Sequence, residues 1–119
     1  MPCLKIMTNL SKNKIPVDFV EKIIPILAKS VRKPEEKFVC IISGDNPIHM
    51  FGDSKSPGAV ATLESIGNLG TDENKIIIQA LSVFIKKELG IVPERFFLTF
   101  YDLEKYNVGV SGTTVDTFE

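Results

Sequence analysis

Lys33-Pro34-Glu35-Glu36-Lys37-Phe38-Val39 and Val92-Pro93-Glu94-Arg95-Phe96-Phe97 carry one signal twice, the second copy shorter by one residue. Pro34 and Pro93 stand about half a chain apart. Each copy follows a stretch with helical apolar spacing and opens an apolar run of strand length. The order is therefore strand, helix, strand, repeated. A strand–helix–strand unit with a short helix exit implies parallel pairing and a right-handed crossover. Two such units, roughly residues 1–58 and 59–119, predict one α/β domain. It would hold a four-stranded mixed sheet with two helices on one face. The strands are apolar on both sides, so the opposite face is expected to be covered by another copy of the chain.

Outward from the repeat, residues 2–8 alternate in strand fashion, with Leu4, Ile6 and Thr8 on one side. Pro16 suits the first turn of a helix, and Val20, Ile23, Ile24, Leu27, Ala28 and Val31 follow at helical spacing. Pro25 interrupts that helix and is expected to kink it. Residues 38–43 read as a strand, Gly44-Asp45-Asn46-Pro47 as a turn, and residues 48–51 as a short strand. Residues 59–66 form the next strand. Thr71 is an N-cap candidate for a helix over 72–89, which Gly90 ends. Residues 96–101 form a strand, and the tail mixes turns with short β-prone pieces.

The chain has 119 residues, 44% of them hydrophobic and 24% charged, and a net charge of -1. That composition fits a soluble globular domain and argues against disorder and against non-specific nucleic-acid binding. No apolar run approaches the ~20 residues of a membrane helix, so no membrane insertion is expected. Lys5, Asn9, Lys12 and Lys14 break any signal-peptide core, which points to a cytoplasmic protein. Cys3 and Cys40 sit in apolar runs and read as buried free thiols. His49, the single histidine, reads as a surface residue beside a turn. With one histidine there is no metal-ligand cluster and no Ser-His-Asp set, and no glycine loop for a phosphate is present. No cofactor is expected.

One chemical feature stands apart. If Met1 is removed, the chain begins at Pro2 with a secondary amine. An α-amino group titrates at roughly 7.7–8.0, and burial or a nearby cation lowers that value. Such a group can act as a general base near neutral pH.

The chain resembles the macrophage migration inhibitory factor and D-dopachrome tautomerase family. The resemblance rests on Met1-Pro2 opening a strand that ends Thr8-Asn9-Leu10, and on Lys33-Pro34 after the first helix. It continues through Ser65-Ile66-Gly67-Asn68-Leu69-Gly70, Phe100-Tyr101-Asp102-Leu103, Asn107-Val108-Gly109 and Gly112-Thr113-Thr114-Val115. The tail from Val108 to Phe118 looks closer to the D-dopachrome tautomerase branch. The resemblance implies a homotrimer and a cofactor-free keto–enol tautomerase, an isomerase acting on phenylpyruvate- or dopachrome-like substrates. Pro2 would be the base, Lys33 would bind the substrate's anionic group, and the Ile66 N–H, preceded by Ser65, would contact the substrate. Phe97 and Thr99 would line the site, with Phe97 coming from the adjacent subunit.

Three positions depart from the family pattern. Phe97 replaces a tyrosine and loses its hydroxyl donor. Thr99 replaces an asparagine, and Val110 an aromatic residue. The Cys-x-x-Cys motif is absent, with Pro57-Gly58-Ala59-Val60-Ala61 in its place, so thiol oxidoreductase chemistry is not carried over. The same resemblance admits an alternative, a cytokine-like ligand of a cell-surface receptor. It would leave cells by a non-classical route and keep only vestigial tautomerase activity. From the residues alone, Lys33 also reads as a helix-end cation and Phe97 as a core or interface aromatic.

Overall fold

The computed structural model describes residues 1–119. The elements run β1 (Cys3–Thr8), α1 (Phe19–Val31), β2 (Val39–Ser43), β3 (Ala59–Ser65), α2 (Thr71–Leu89) and β4 (Phe96–Asp102). A two-stranded hairpin follows, β5 (Gly109–Val110) with β6 (Thr113–Thr114). The large sheet is ordered β2-β1-β3-β4. Strands β1 and β2 pair in parallel, as do β3 and β4, and the two units join through an antiparallel β1–β3 ladder. The repeat thus builds two βαβ units in one mixed sheet.

The helices cover one face. Leu4, Ile6, Ala59, Ala61 and Leu63 point into a core with Ile23, Leu27, Ile77, Leu81 and Ile85. Phe19 and Phe84 meet between the helices, with ring centroids 5.4 Å apart. The opposite face is open. Met7, Val39, Ile41, Val60, Phe97 and Tyr101 all lie on it and all are exposed. In register, Phe97 sits beside Val60 and Val60 beside Met7. A sheet apolar on both faces is unusual for a free monomer.

Several local expectations need correction. The first helix starts at Phe19 rather than at Pro16. Pro16 closes a preceding turn in which the Phe19 N–H donates to its carbonyl at 3.0 Å, and Val17 is fully exposed. Gly70, not Thr71, takes the N-cap position of α2. Its N–H donates to Asn74 Oδ1 at 3.1 Å, a side chain reaching back to the cap. Gly90 ends α2 at φ 70°, a left-handed conformation that suits glycine. Residues 48–51 form no strand; Met50 bridges only to Asp53. Cys3 and Cys40 are free but half-buried. They occupy adjacent strands on opposite faces, and burial pushes the Cys40 thiol up to about 11.

Helix α1 runs unbroken through Pro25. Pro25 is exposed, so its ring projects to solvent and contributes no core packing. It still removes one backbone donor from the helix interior. Pro25→Ala is therefore expected to stabilise the fold by about 1–3 kcal/mol, read as a higher urea midpoint.

Candidate functional site

Pro2 is buried at the start of β1, and its carbonyl accepts the Val39 N–H at 2.9 Å. The antiparallel register pairs Cys3 with Glu64, so one step further Pro2 lies beside the end of β3, at Ser65. Lys33 follows the end of α1, ahead of the turn that leads into β2. Arg32, at φ 63°, turns the chain there, and the Lys33 N–H donates to Ala28 O at 3.2 Å. One end of the sheet thus gathers Pro2, Lys33, Ser65 and Ile66.

Lys33 also acts electrostatically on the start of the chain. In this structure Met1 carries the α-amine, which is half-buried and has its pKa lowered from 8.0. Burial is the larger cause and Lys33 the second. Glu119 opposes the shift and Lys37 adds to it. The tail therefore reaches the same end of the sheet. Lys37 Nζ lies 3.9 Å from a Glu119 carboxylate oxygen, and Lys105 Nζ donates to Glu119 O at 3.0 Å.

The loop after β3 is pinned on both sides. Ser65 is fully buried; its Oγ donates to Gly67 O at 2.8 Å and its carbonyl accepts the Leu103 N–H. The Gly67 N–H donates to Asp102 Oδ1 at 3.0 Å. Asn68, itself at φ 64°, donates through Nδ2 to Val31 O at 2.9 Å and Arg32 O at 3.1 Å. Arg32 returns a bond to Asn68 O. Asn68 thereby caps α1 and ties the segment bearing Lys33 to the segment bearing Ile66. Between these anchors, the Ile66 N–H makes no hydrogen bond within the chain. Sequence reasoning missed this role of Asn68. Gly-Asn signals a turn, but nothing in the sequence says which carbonyls the asparagine will reach.

Phe97 and Thr99 are not brought to Pro2 within one chain. Both lie on the open face of β4. In the ladders, Thr99 shares a row with Thr62 and Lys5, and Phe97 shares one with Val60 and Met7. Met7 is five residues from Pro2, about 17 Å along the strand. A cleft of about 460 Å³ between Lys12, Ile15, Ile42 and Asp45 opens at the far end of β2, away from Pro2. His49 is exposed. No three His, Cys, Asp or Glu side chains are grouped to hold a metal ion, and no helix is long and apolar enough to cross a membrane.

Comparison with known proteins identifies the fold and the family. The family model described as macrophage migration inhibitory factor matches residues 1–116. The MIF-like protein mif-2 of Caenorhabditis elegans is 37% identical, over 97% of this chain and 95% of that protein. Macrophage migration inhibitory factor of Xenopus laevis is 36% identical, over 96% of this chain and 98% of that one. The structure of the Trichinella spiralis factor superposes with a TM-score of 0.89 at 27% identity. That match covers 94% of this chain and 98% of the other. The chain belongs to the macrophage migration inhibitory factor family.

Proposed function

We propose that this protein is a cofactor-independent keto–enol tautomerase for phenylpyruvate- or dopachrome-like substrates, working as a homotrimer with Pro2 as its base. The observation that carries the reading is the convergence at one sheet end. An α-amine with a lowered pKa, the Lys33 cation and an unpartnered Ile66 N–H meet there. Removal of Met1 moves the amine to Pro2. Its nitrogen takes a proton from the carbon next to the substrate carbonyl. The electron pair of the C–H bond becomes the C=C bond, the C=O π pair moves onto oxygen, and the protonated Pro2 amine delivers its proton to that oxygen to give the enol and regenerate the base. Lys33 holds the carboxylate, and the Ile66 N–H orients the substrate as charge develops on oxygen. Ser65 acts through the loop that it shapes. The exposed apolar sheet face supports assembly, and assembly lets Phe97 and Thr99 of one subunit complete the site of the next. We place the protein in the cytoplasm, with export by a non-classical route.

Lys33 gives this reading a signed test. A neighbouring cation disfavours the protonated amine, so removing it lets the amine pKa rise. In Lys33→Ala the acidic limb of kcat/KM is expected to move to higher pH, and KM for phenylpyruvate to rise about tenfold. A limb that stays in place would separate Lys33 from the base.

The cytokine-like reading is favoured by one observation. Phe97 and Thr99, two of the proposed substrate-lining residues, lack the tyrosine hydroxyl and the asparagine amide of the family pattern. Phenylpyruvate tautomerisation by protein of verified mass, with Met1 absent, tests the first reading, and no turnover by folded protein supports the ligand. A Pro2→Gly trimer with unchanged receptor binding separates the two roles.

A further inference from the structure

Phe51 and Gly52 form the tip of a two-residue turn. The Met50 N–H donates to Asp53 O at 2.9 Å, and the Asp53 N–H to Met50 O at 3.0 Å. Both tip residues have positive φ, 51° and 83°. That is the geometry of a type I′ turn, whose first position normally takes Asn, Asp or Gly. A phenylalanine in this left-handed conformation is a costly exception. Core burial does not explain it, because Phe51 is 76% exposed. Backbone outliers of this kind gather at functional sites.

The turn is also held rigidly from beneath. Arg95 is only 8% exposed, yet it makes no ion pair with a carboxylate. Its guanidinium donates instead to Met50 O at 2.7 Å, Asp53 O at 3.0 Å, Ser56 O at 2.7 Å and Pro57 O at 3.3 Å. The Asp53 carboxylate accepts the N–H groups of Lys55 and Ser56 at 2.7 and 3.0 Å. The result is a fixed aromatic tip. The Phe51 ring stands 6.3 Å from the Phe97 ring, tilted by 53°, and both are exposed.

We infer that Phe51 is a specificity-determining residue, and that with Phe97 it forms an aromatic wall for the aryl group of the substrate bound at the neighbouring subunit's Pro2. This inference rests on the tautomerase reading, in which Phe97 enters that neighbouring site. Two tilted rings without a hydroxyl or a charge offer edge and face contacts to an unsubstituted aryl group and no partner for polar substituents. The wall selects arylpyruvates over short aliphatic keto acids and over the more polar dopachromes.

The test uses the assembled protein, with its mass in solution checked by sedimentation. Phe51→Ala is expected to lower kcat/KM for phenylpyruvate about tenfold more than for 2-oxobutanoate, and to weaken phenylacetate binding by NMR about tenfold. Phe51→Leu keeps apolar bulk without the ring. It should show the same direction with a smaller loss, and it replaces the alanine variant if that variant fails to assemble. An unchanged substrate ratio together with unchanged phenylacetate affinity overturns the wall, as does a wild-type protein that does not bind phenylacetate. Phenylacetate binding that depends on Phe51 in a protein without Pro2-dependent turnover keeps the wall and removes the base.

Discussion

Changing Pro2 to glycine lowers kcat/KM for phenylpyruvate tautomerisation by about 100-fold or more. Both variants keep an α-amine, but only the native residue places a secondary amine on a ring at this position. The pyrrolidine ring holds the nitrogen rigidly against its own Cα and so fixes the direction of the nitrogen lone pair. Glycine releases that constraint and leaves a mobile primary amine. The fold should tolerate the change, because the Val39 N–H still finds the carbonyl of residue 2. An unaltered melting temperature with collapsed activity is the expected pair of results. Protein that retains Met1 should be equally inactive, since its Pro2 nitrogen is an amide. Full activity in either form would remove Pro2 from the chemistry.

Arg95→Ala carries the largest expected loss of stability, about 3 kcal/mol, or on the order of 10 °C in Tm. The substitution withdraws one guanidinium from four carbonyls, of Met50, Asp53, Ser56 and Pro57. Buried acceptors that lose a charged donor pay most of their desolvation cost. Arg95→Lys should recover only part, because an ammonium cannot span the same fork. Gly58 adds a steric reason for the tight fit. A Cβ placed there would lie 3.0 Å from the guanidinium, so the loop end and Arg95 are closely packed. A loss below 1 kcal/mol in a urea titration would show that water replaces the arginine at little cost.

Arg95 also marks where the sequence stopped being legible. In the repeat it stands where Lys37 stands in the first copy. Lys37 is exposed, whereas Arg95 is buried under a loop that belongs to the other half of the chain. Local pattern cannot distinguish the two, because the difference lies in what the tertiary fold brings overhead. The four-stranded sheet was legible for the opposite reason. Apolar period and the Pro-Glu helix exits are local signals, and both βαβ units follow from them. The open face was legible from alternation, since Met7, Ile41 and Val60 alternate along their strands with the residues that face the core.

The candidate site divides in the same way. Pro2 and Lys33 were readable as chemistry-bearing positions, and the fold brings them to one end of the sheet. Asn68 was not readable as the clasp between α1 and the Ile66 loop, since its reach to Val31 O and Arg32 O depends on the packing of distant segments. Residues 48–51 were misread as a strand because Ile48 and Met50 suggest alternation. The reciprocal Met50–Asp53 bonds close the chain into a turn before any ladder can form.

Catalysis by Pro2 depends on the protonation of one nitrogen, and a titration reads that nitrogen itself. Protein labelled with [15N]proline and shown by intact mass to lack Met1 would be followed by NMR across neutral pH. The Pro2 amine is expected to titrate below the ordinary range of a prolyl α-amine, at the pH of the acidic limb of kcat/KM, and Lys33→Ala to raise it. An amine that titrates as an ordinary prolyl α-amine and is unmoved by Lys33→Ala would contradict Pro2 as the base.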